Sequence, residues 1–169
     1  MSMEWEKTHH KQRRYDLQMS SCGKFFKKSS TNPKRHSPLE MELECLTRAS
    51  ELNLSMIQEI VSGNIDRSGE SYIITKFCGY NITKNKVPPD WRFQLNILQQ
   101  QITKLQDVKE VYHNDIQVRN LFVDINSQLT LIDFDLGSIG KPSKRAQRHP
   151  DLNSCDRVLN KIVNGWKIK

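Results

Sequence analysis

Apolar positions recur along this chain with a period that switches between strand-like and helix-like. Residues 15–19 and 24–28 read as two short strands, parted by a Ser-Ser-Cys-Gly turn. A loop rich in Ser, Asn and Pro follows over 29–38. A helix is expected from Ser37, a favoured N-cap, with Pro38 at the first helical position and Glu40 at N3 as in a capping box. Leu39, Leu43, Leu46 and Ala49 or Ser50 then recur at helical spacing. Residues 56–61 and 71–77 read as strands around a turn that contains Gly63 and Gly69. Beyond Pro88 and Pro89, Asp90 is placed to cap a second helix, with Phe93, Ile97 or Leu98, Ile102 and Leu105 along one face. Residues 115–120 form a loop, 121–123 and 129–132 two β segments around a turn, and 151–163 a last helix. The expected class is α+β.

Composition narrows the setting. The 169 residues suffice for one ordinary domain or two small lobes sharing a cleft. An apolar content of 36% with 27% charged residues suits a soluble globular chain, and mean hydropathy is −0.68. No run of eighteen apolar residues offers a membrane span, and the polar start carries no secretory signal. Cys22, Cys45, Cys78 and Cys155 are scattered, which suggests reduced thiols and a cytoplasmic setting. Residues 1–14 read as a basic flexible tail. The net charge of +7 is concentrated in 7–14 and 141–148, blocks that suit weak nucleic-acid contact but more often lie solvated.

The segment 111–139 carries the chemistry. His113-x-Asp115-x4-Asn120 is followed, after strand, turn and strand, by Asp133-Phe134-Asp135. Phosphoryl transfer needs a carboxylate to orient the attacking hydroxyl and oxygen ligands to hold a metal across the phosphates. Here the chain resembles the protein-kinase-like superfamily, in the minimal form encoded by some viruses and phages. The resemblance implies a two-lobe fold, with a small β-rich N-lobe over 15–78 built around one helix and a truncated helical C-lobe over 79–169. It implies ATP and magnesium as cofactors, Asp115 as the catalytic base, and Asn120 and Asp133 as metal ligands.

The resemblance extends outward. Residues 71–79 look like the strand leading into a hinge, with Thr75 as gatekeeper and Lys76 and Cys78 offering backbone groups to adenine. Glu42 stands where the superfamily's first helix carries the glutamate that pairs with a strand lysine. Lys27 is favoured for that lysine because Phe25 and Phe26 precede it. Lys28 is the alternative, since a shift of one residue sends each to the opposite sheet face. Asp151 resembles the helix-starting aspartate that ties the catalytic loop from below.

Departures also matter. No GxGxxG precedes the lysine, and no GxxxxGK[ST] exists. Asn114 replaces the arginine after His113, Gln117 stands where a lysine is usual, and Asp135 replaces the glycine of DFG. Three readings stay open: an ATP- and magnesium-dependent phosphotransferase acting on a hydroxyl of a protein or small molecule, a pseudokinase adaptor with a vestigial nucleotide cleft, and a basic nucleic-acid-binding protein.

Overall fold

A computed structural model describes residues 3–7, 14–82, 87–144, 151 and 157–158. Five antiparallel strands, β1 (Trp5–Lys7), β2 (Asp16–Ser20), β3 (Phe25–Ser30), β4 (Ile60–Asn64) and β5 (Ser71–Lys76), form one sheet ordered β1-β2-β3-β5-β4. Trp5, Glu6 and Lys7 pair with Ser20, Met19 and Gln18. Part of the segment expected as a flexible tail is therefore an edge strand. Three residues are too few to display an alternating pattern, and the pairing is set by the free edge of β2. Residues 8–13 of that segment lie outside the described residues.

Helix α1 (Pro33–Ser50) starts four residues before the expected Ser37. Asn32 and Pro33 carry the same start signal one turn earlier: the Asn32 side chain accepts from the Lys34 N–H at 3.0 Å, and Pro33 fills the first turn. Pro38 lies inside the helix, where it forfeits one backbone bond. The buried stripe is His36, Leu39, Glu42, Cys45, Leu46 and Ala49. Glu42 is thus an acid on the core-facing side, an arrangement that demands a partner.

The strand expected over 56–61 is divided. Met56 to Gln58 run beside β9 (Leu129–Leu131), with Leu131 N–H donating to Met56 O at 2.8 Å and Gln58 N–H to Leu131 O at 3.0 Å. Strand β4 begins only at Ile60. A second sheet joins β6 (Tyr80–Asn81), β8 (Leu121–Val123) and β9, and a two-residue pair joins β7 (Val111–Tyr112) to β10 (Ser138–Ile139). The β8–β9 hairpin closes on Asp124, whose carboxylate accepts from the N–H groups of Asn126 and Gln128, both at 2.8 Å.

Helix α2 (Trp91–Lys109) buries Leu95, Leu98, Ile102 and Leu105. Phe93, expected on that face, is 64% exposed. Two residues from Leu95 it points to the opposite side of the helix, so the stripe runs 95-98-102-105. Asp90 precedes the helix without capping its backbone; its carboxylate accepts from Gln94 Nε2 at 2.8 Å. Of the helix expected over 151–163, the described residues 151, 157 and 158 are helical, with Asp151 and Val158 buried.

One apolar core joins these elements, with Leu39, Leu46, Ile73, Leu98, Leu121, Leu129, Leu131 and Phe134 fully enclosed. No helix among the described residues is long and apolar enough to cross a membrane. Cys22, Cys45 and Cys78 are free thiols. Burial pushes Cys45 and Cys78 up to about 12, which makes both poor nucleophiles.

Gly79 turns the chain from β5 toward β6 at φ +93°, and a Cβ there would meet the Val123 carbonyl oxygen at 1.9 Å. Gly79→Ala is expected to destabilise the fold by more than about 1 kcal/mol. The check is a lower urea midpoint at unchanged m-value; an unaltered midpoint would contradict the close approach.

Candidate active site

The strand register decides which lysine faces α1. In β3, Phe26, Lys28 and Ser30 lie opposite Thr75, Ile73 and Ser71 of β5, and the β5 residues of that set are buried. Residues directly opposite share a face, so Lys28 points inward toward α1. Its Nζ lies 2.8 Å from Glu42 Oε2 and 2.7 Å from Asp133 Oδ1. Lys27, the favoured partner of Glu42 in the sequence, faces the other side and pairs with Glu70 at 3.1 Å. The expectation was wrong by one residue. In the run Phe-Phe-Lys-Lys-Ser-Ser no alternation marks the inner face, and pairing with β5 supplies the missing information.

Burial alone pulls the Lys28 ammonium down, and the charges of Glu42, Asp133 and Asp135 more than reverse this, leaving its pKa raised. Burial also pushes Glu42 up, against the opposing pull of Lys28. The Tyr15 ring covers the ammonium, its centroid 4.4 Å from Nζ. Nothing in the sequence marked Tyr15, because the contact is made across β2 and β3.

The loop after β7 is fixed from beneath. Asp151 Oδ2 accepts from the His113 N–H at 2.8 Å, and Oδ1 from the Asn114 N–H at 2.9 Å. His113 Nδ1 accepts from the Asp115 N–H at 3.2 Å, which leaves Nε2 as the donor to Ile132 O at 2.9 Å. Its ring also packs edge-on against Phe134 with centroids 4.4 Å apart. Both nitrogens are committed, so His113 is architectural.

Asp115 is buried but not bare. Oδ1 accepts from Gln117 Nε2, and Oδ2 from Arg119 Nη2 at 2.8 Å and Asn120 Nδ2 at 3.2 Å. Asn120 Nδ2 also donates to Asp115 O at 2.9 Å. Asn120 closes a 3-10 turn, Val118–Asn120, that Asn81 grips from outside through the carbonyls of Val118, Arg119 and Leu121. The ion pair with Arg119 was not foreseen, although four residues on a tight turn is a legible spacing.

Asp133 follows β9 in the left-handed region at φ +69°. Its neighbour Asp135 is half-buried; burial raises its pKa, Lys28 works against this, and Asp133 and Asp115 add to the rise. Among the described residues no three His, Cys, Asp or Glu side chains converge as a metal cage. Asn120 and Asp133 offer amide and carboxylate oxygens alone. That set suits magnesium, a hard cation that needs few protein ligands when phosphate oxygens complete its shell.

Thr75 shares the inward face with Lys28 and is buried, its Oγ1 accepting from Gln58 Nε2 at 2.8 Å. The Lys76 N–H is committed to Glu59 O at 2.9 Å, and its ammonium pairs with the Glu59 carboxylate at 2.7 Å. Cys78 precedes the Gly79 turn. Lys28, Glu42 and Asp133 thus meet directly, Asp115 and Asn120 meet each other, and His113 ties the two groups through the Asp115 N–H and the Ile132 carbonyl; Thr75 shares the Lys28 face, whereas Lys27 does not.

Asn114, in the left-handed region at φ +64°, ties down the segment beyond Asp135. Its Nδ2 donates to Leu136 O at 2.9 Å and Ser138 Oγ at 2.8 Å, and its Oδ1 accepts from the Ser143 N–H at 3.2 Å. An uncharged amide does this work.

Lys28→Met leaves Glu42 and Asp133 facing each other without a cation, and is expected to cost about 3 kcal/mol or more. Lys27→Met, which breaks a more exposed pair, is expected to stay within about 1 kcal/mol. Urea unfolding of the two variants checks the order, and equal losses would contradict the assigned register. Asn114→Ala is expected to raise amide exchange across 136–143 by roughly tenfold while leaving α1 unchanged. Unaltered exchange in that segment would show that the amide does not hold it.

No family model matches the sequence, and no curated protein matches it. Among solved structures, the chain is similar to the kinase PK-1 of Cydia pomonella granulovirus, with a TM-score of 0.69. That likeness covers 95% of this chain and 67% of that one at 17% identity. At such identity the likeness carries the fold alone: the chain has a kinase-like fold.

Proposed function

We propose that the chain is a phosphotransferase that moves the γ-phosphate of ATP, with magnesium, to a hydroxyl acceptor. The observation that carries this reading is the convergence of Lys28, Glu42 and Asp133, from a strand, a helix and a loop, tied through His113 to the Asp115–Asn120 pair. A purely structural buried ion pair needs no catalytic loop next to it. All five groups are of the types that phosphoryl transfer uses.

In this reading Glu42 holds the Lys28 ammonium so that it meets the α- and β-phosphate oxygens. Asn120 and Asp133 hold the metal, and the backbone of Lys76 and Cys78 faces the base with Thr75 behind it. When bound, magnesium offsets the charge that the phosphates carry. Asp115 orients the acceptor hydroxyl and accepts its proton as the oxygen bonds to phosphorus and the bond to ADP breaks. The residues act by position and charge, which is most of what this chemistry needs.

The adaptor reading draws on one observation: both carboxylate oxygens of Asp115 already have partners in Gln117, Arg119 and Asn120. It predicts nucleotide binding without transfer.

ATP with magnesium at about a hundred times Kd is expected to raise Tm by roughly 5–10 °C. Asp133→Ala should remove the part of that shift that depends on magnesium. Asp115→Asn is expected to keep the shift and to lower transfer from γ-labelled ATP by about a hundredfold or more. A Tm unmoved by nucleotide would sink both the enzyme and the adaptor readings. Binding with transfer indifferent to Asp115→Asn would remove the assigned base.

A further inference from the structure

We propose that the acceptor hydroxyl lies in an acidic peptide segment, read by Arg119 and by Lys141 and Lys144. The proposal rests on the phosphotransfer reading above and names its substrate class.

Among the described residues, Arg119 is a cation in direct contact with Asp115, where an acceptor must arrive. Its Nη2 lies 2.8 Å from Asp115 Oδ2, yet its side chain is 64% exposed against 6% for Asp115. A guanidinium presents five N–H donors, so the contact with Asp115 leaves donors turned to solvent at the rim of the buried carboxylate. The backbone behind it is fixed, because Asn81 Nδ2 holds the Arg119 carbonyl at 2.7 Å and its neighbours at 3.1 and 3.3 Å. Gln117 contributes no charge, so Arg119 supplies the positive charge that this loop offers beside Asp115.

The second wall comes from the segment that Asn114 ties down. Ser143 N–H bonds to Asn114 Oδ1 at 3.2 Å, and Asn114 is the residue just before Asp115. Ser138 Oγ donates to the Lys141 carbonyl at 2.7 Å while accepting from Asn114 Nδ2 at 2.8 Å. The Gly140 N–H bonds to Glu110 O at 2.9 Å, and Ser138 and Ile139 pair with β7. The Lys141 carbonyl and the Ser143 N–H are therefore held beside Asn114, and Lys141 and the next residue after Ser143, Lys144, are exposed. Neither makes an ion pair among the described residues.

The acids of the site already have cationic partners or neighbours. Asp133 is paired with Lys28, Asp115 with Arg119, and Asp135 feels Lys28 most strongly among its charged neighbours. An approaching chain meets three exposed cations, one of them Arg119 on the Asp115 carboxylate. A basic segment is repelled there, and an acidic one is drawn in, as the net charge of +7 also favours. Each exposed contact is weak and screened by salt, so the selectivity is shared among the three cations and depends on ionic strength.

The test uses the full chain, ATP with magnesium, and two peptides of equal length holding one serine, flanked by Asp and Glu in one and by Lys and Arg in the other. At low salt the acidic peptide is expected to be used with a kcat/KM at least about tenfold higher, an advantage that shrinks to about threefold or less near ~0.5 M salt. Lys141→Glu combined with Lys144→Glu should raise KM for the acidic peptide about fivefold or more while the nucleotide-induced rise in Tm is kept. Arg119→Gln should raise the same KM. Equal or better use of the basic peptide overturns the proposal and leaves the phosphotransfer reading standing. If neither peptide is phosphorylated, anisotropy of the labelled peptides decides: tighter binding of the acidic one supports the proposal, and equal or tighter binding of the basic one overturns it. Nucleotide binding with no transfer to any acceptor tells instead against phosphotransfer.

Discussion

A lysine ammonium enclosed between a helix, a sheet and a loop sets the terms for the rest of this structure. Lys28 Nζ sits 2.8 Å from Glu42 and 2.7 Å from Asp133, under the ring of Tyr15. Desolvating three charges is costly, and it is offset only if all three arrive together with good geometry. Helix α1, strand β3 and the turn after β9 are thereby bound to one another through a single atom. Because the folded pKa of Lys28 is raised, the pair's contribution is complete below the ordinary lysine value of about 10.4 and is lost only as pH rises beyond it. The Lys28 ammonium therefore holds its charge across the whole physiological range.

The loop after β7 has a separate and complementary support. Asp151 accepts two successive backbone N–H groups, from His113 and Asn114, and His113 bridges the Asp115 N–H to the Ile132 carbonyl. Asp115 and Asp133 are thus held at a fixed separation by one imidazole and one carboxylate. Asn114 extends the same frame to residues 136–143. Where the superfamily resemblance implies an arginine, an uncharged amide makes these contacts. The frame therefore needs no added charge to stand.

How much of this was legible in the sequence depends on the range of the interaction. His113, Asp115, Asn120 and Asp133 lie within one short stretch, where spacing alone carries the geometry, and Asp151 at a helix start was readable for the same reason. Glu42 was readable as a helix position. The partner of Glu42 was not, since Lys27 and Lys28 differ only by which face β5 assigns them, and that pairing spans more than forty residues. Tyr15 over Lys28 and the edge strand Trp5–Lys7 escaped notice for the same reason: both depend on a neighbour in space. Phe93 misled because an aromatic at a helix start suggests a core face, whereas the phase set by Leu95, Leu98 and Ile102 turns it outward.

The proposed phosphotransfer turns on what Lys28 and Asp133 do when a nucleotide is supplied. A crystal structure with magnesium and a non-hydrolysable ATP analogue tests this directly. The predicted result keeps Lys28 on Glu42, moves its Nζ from Asp133 onto the α- and β-phosphate oxygens, and places magnesium between Asp133, Asn120 and the phosphates. A nucleotide bound elsewhere, or one bound with Lys28 still held on Asp133 and no metal at Asn120, would contradict it.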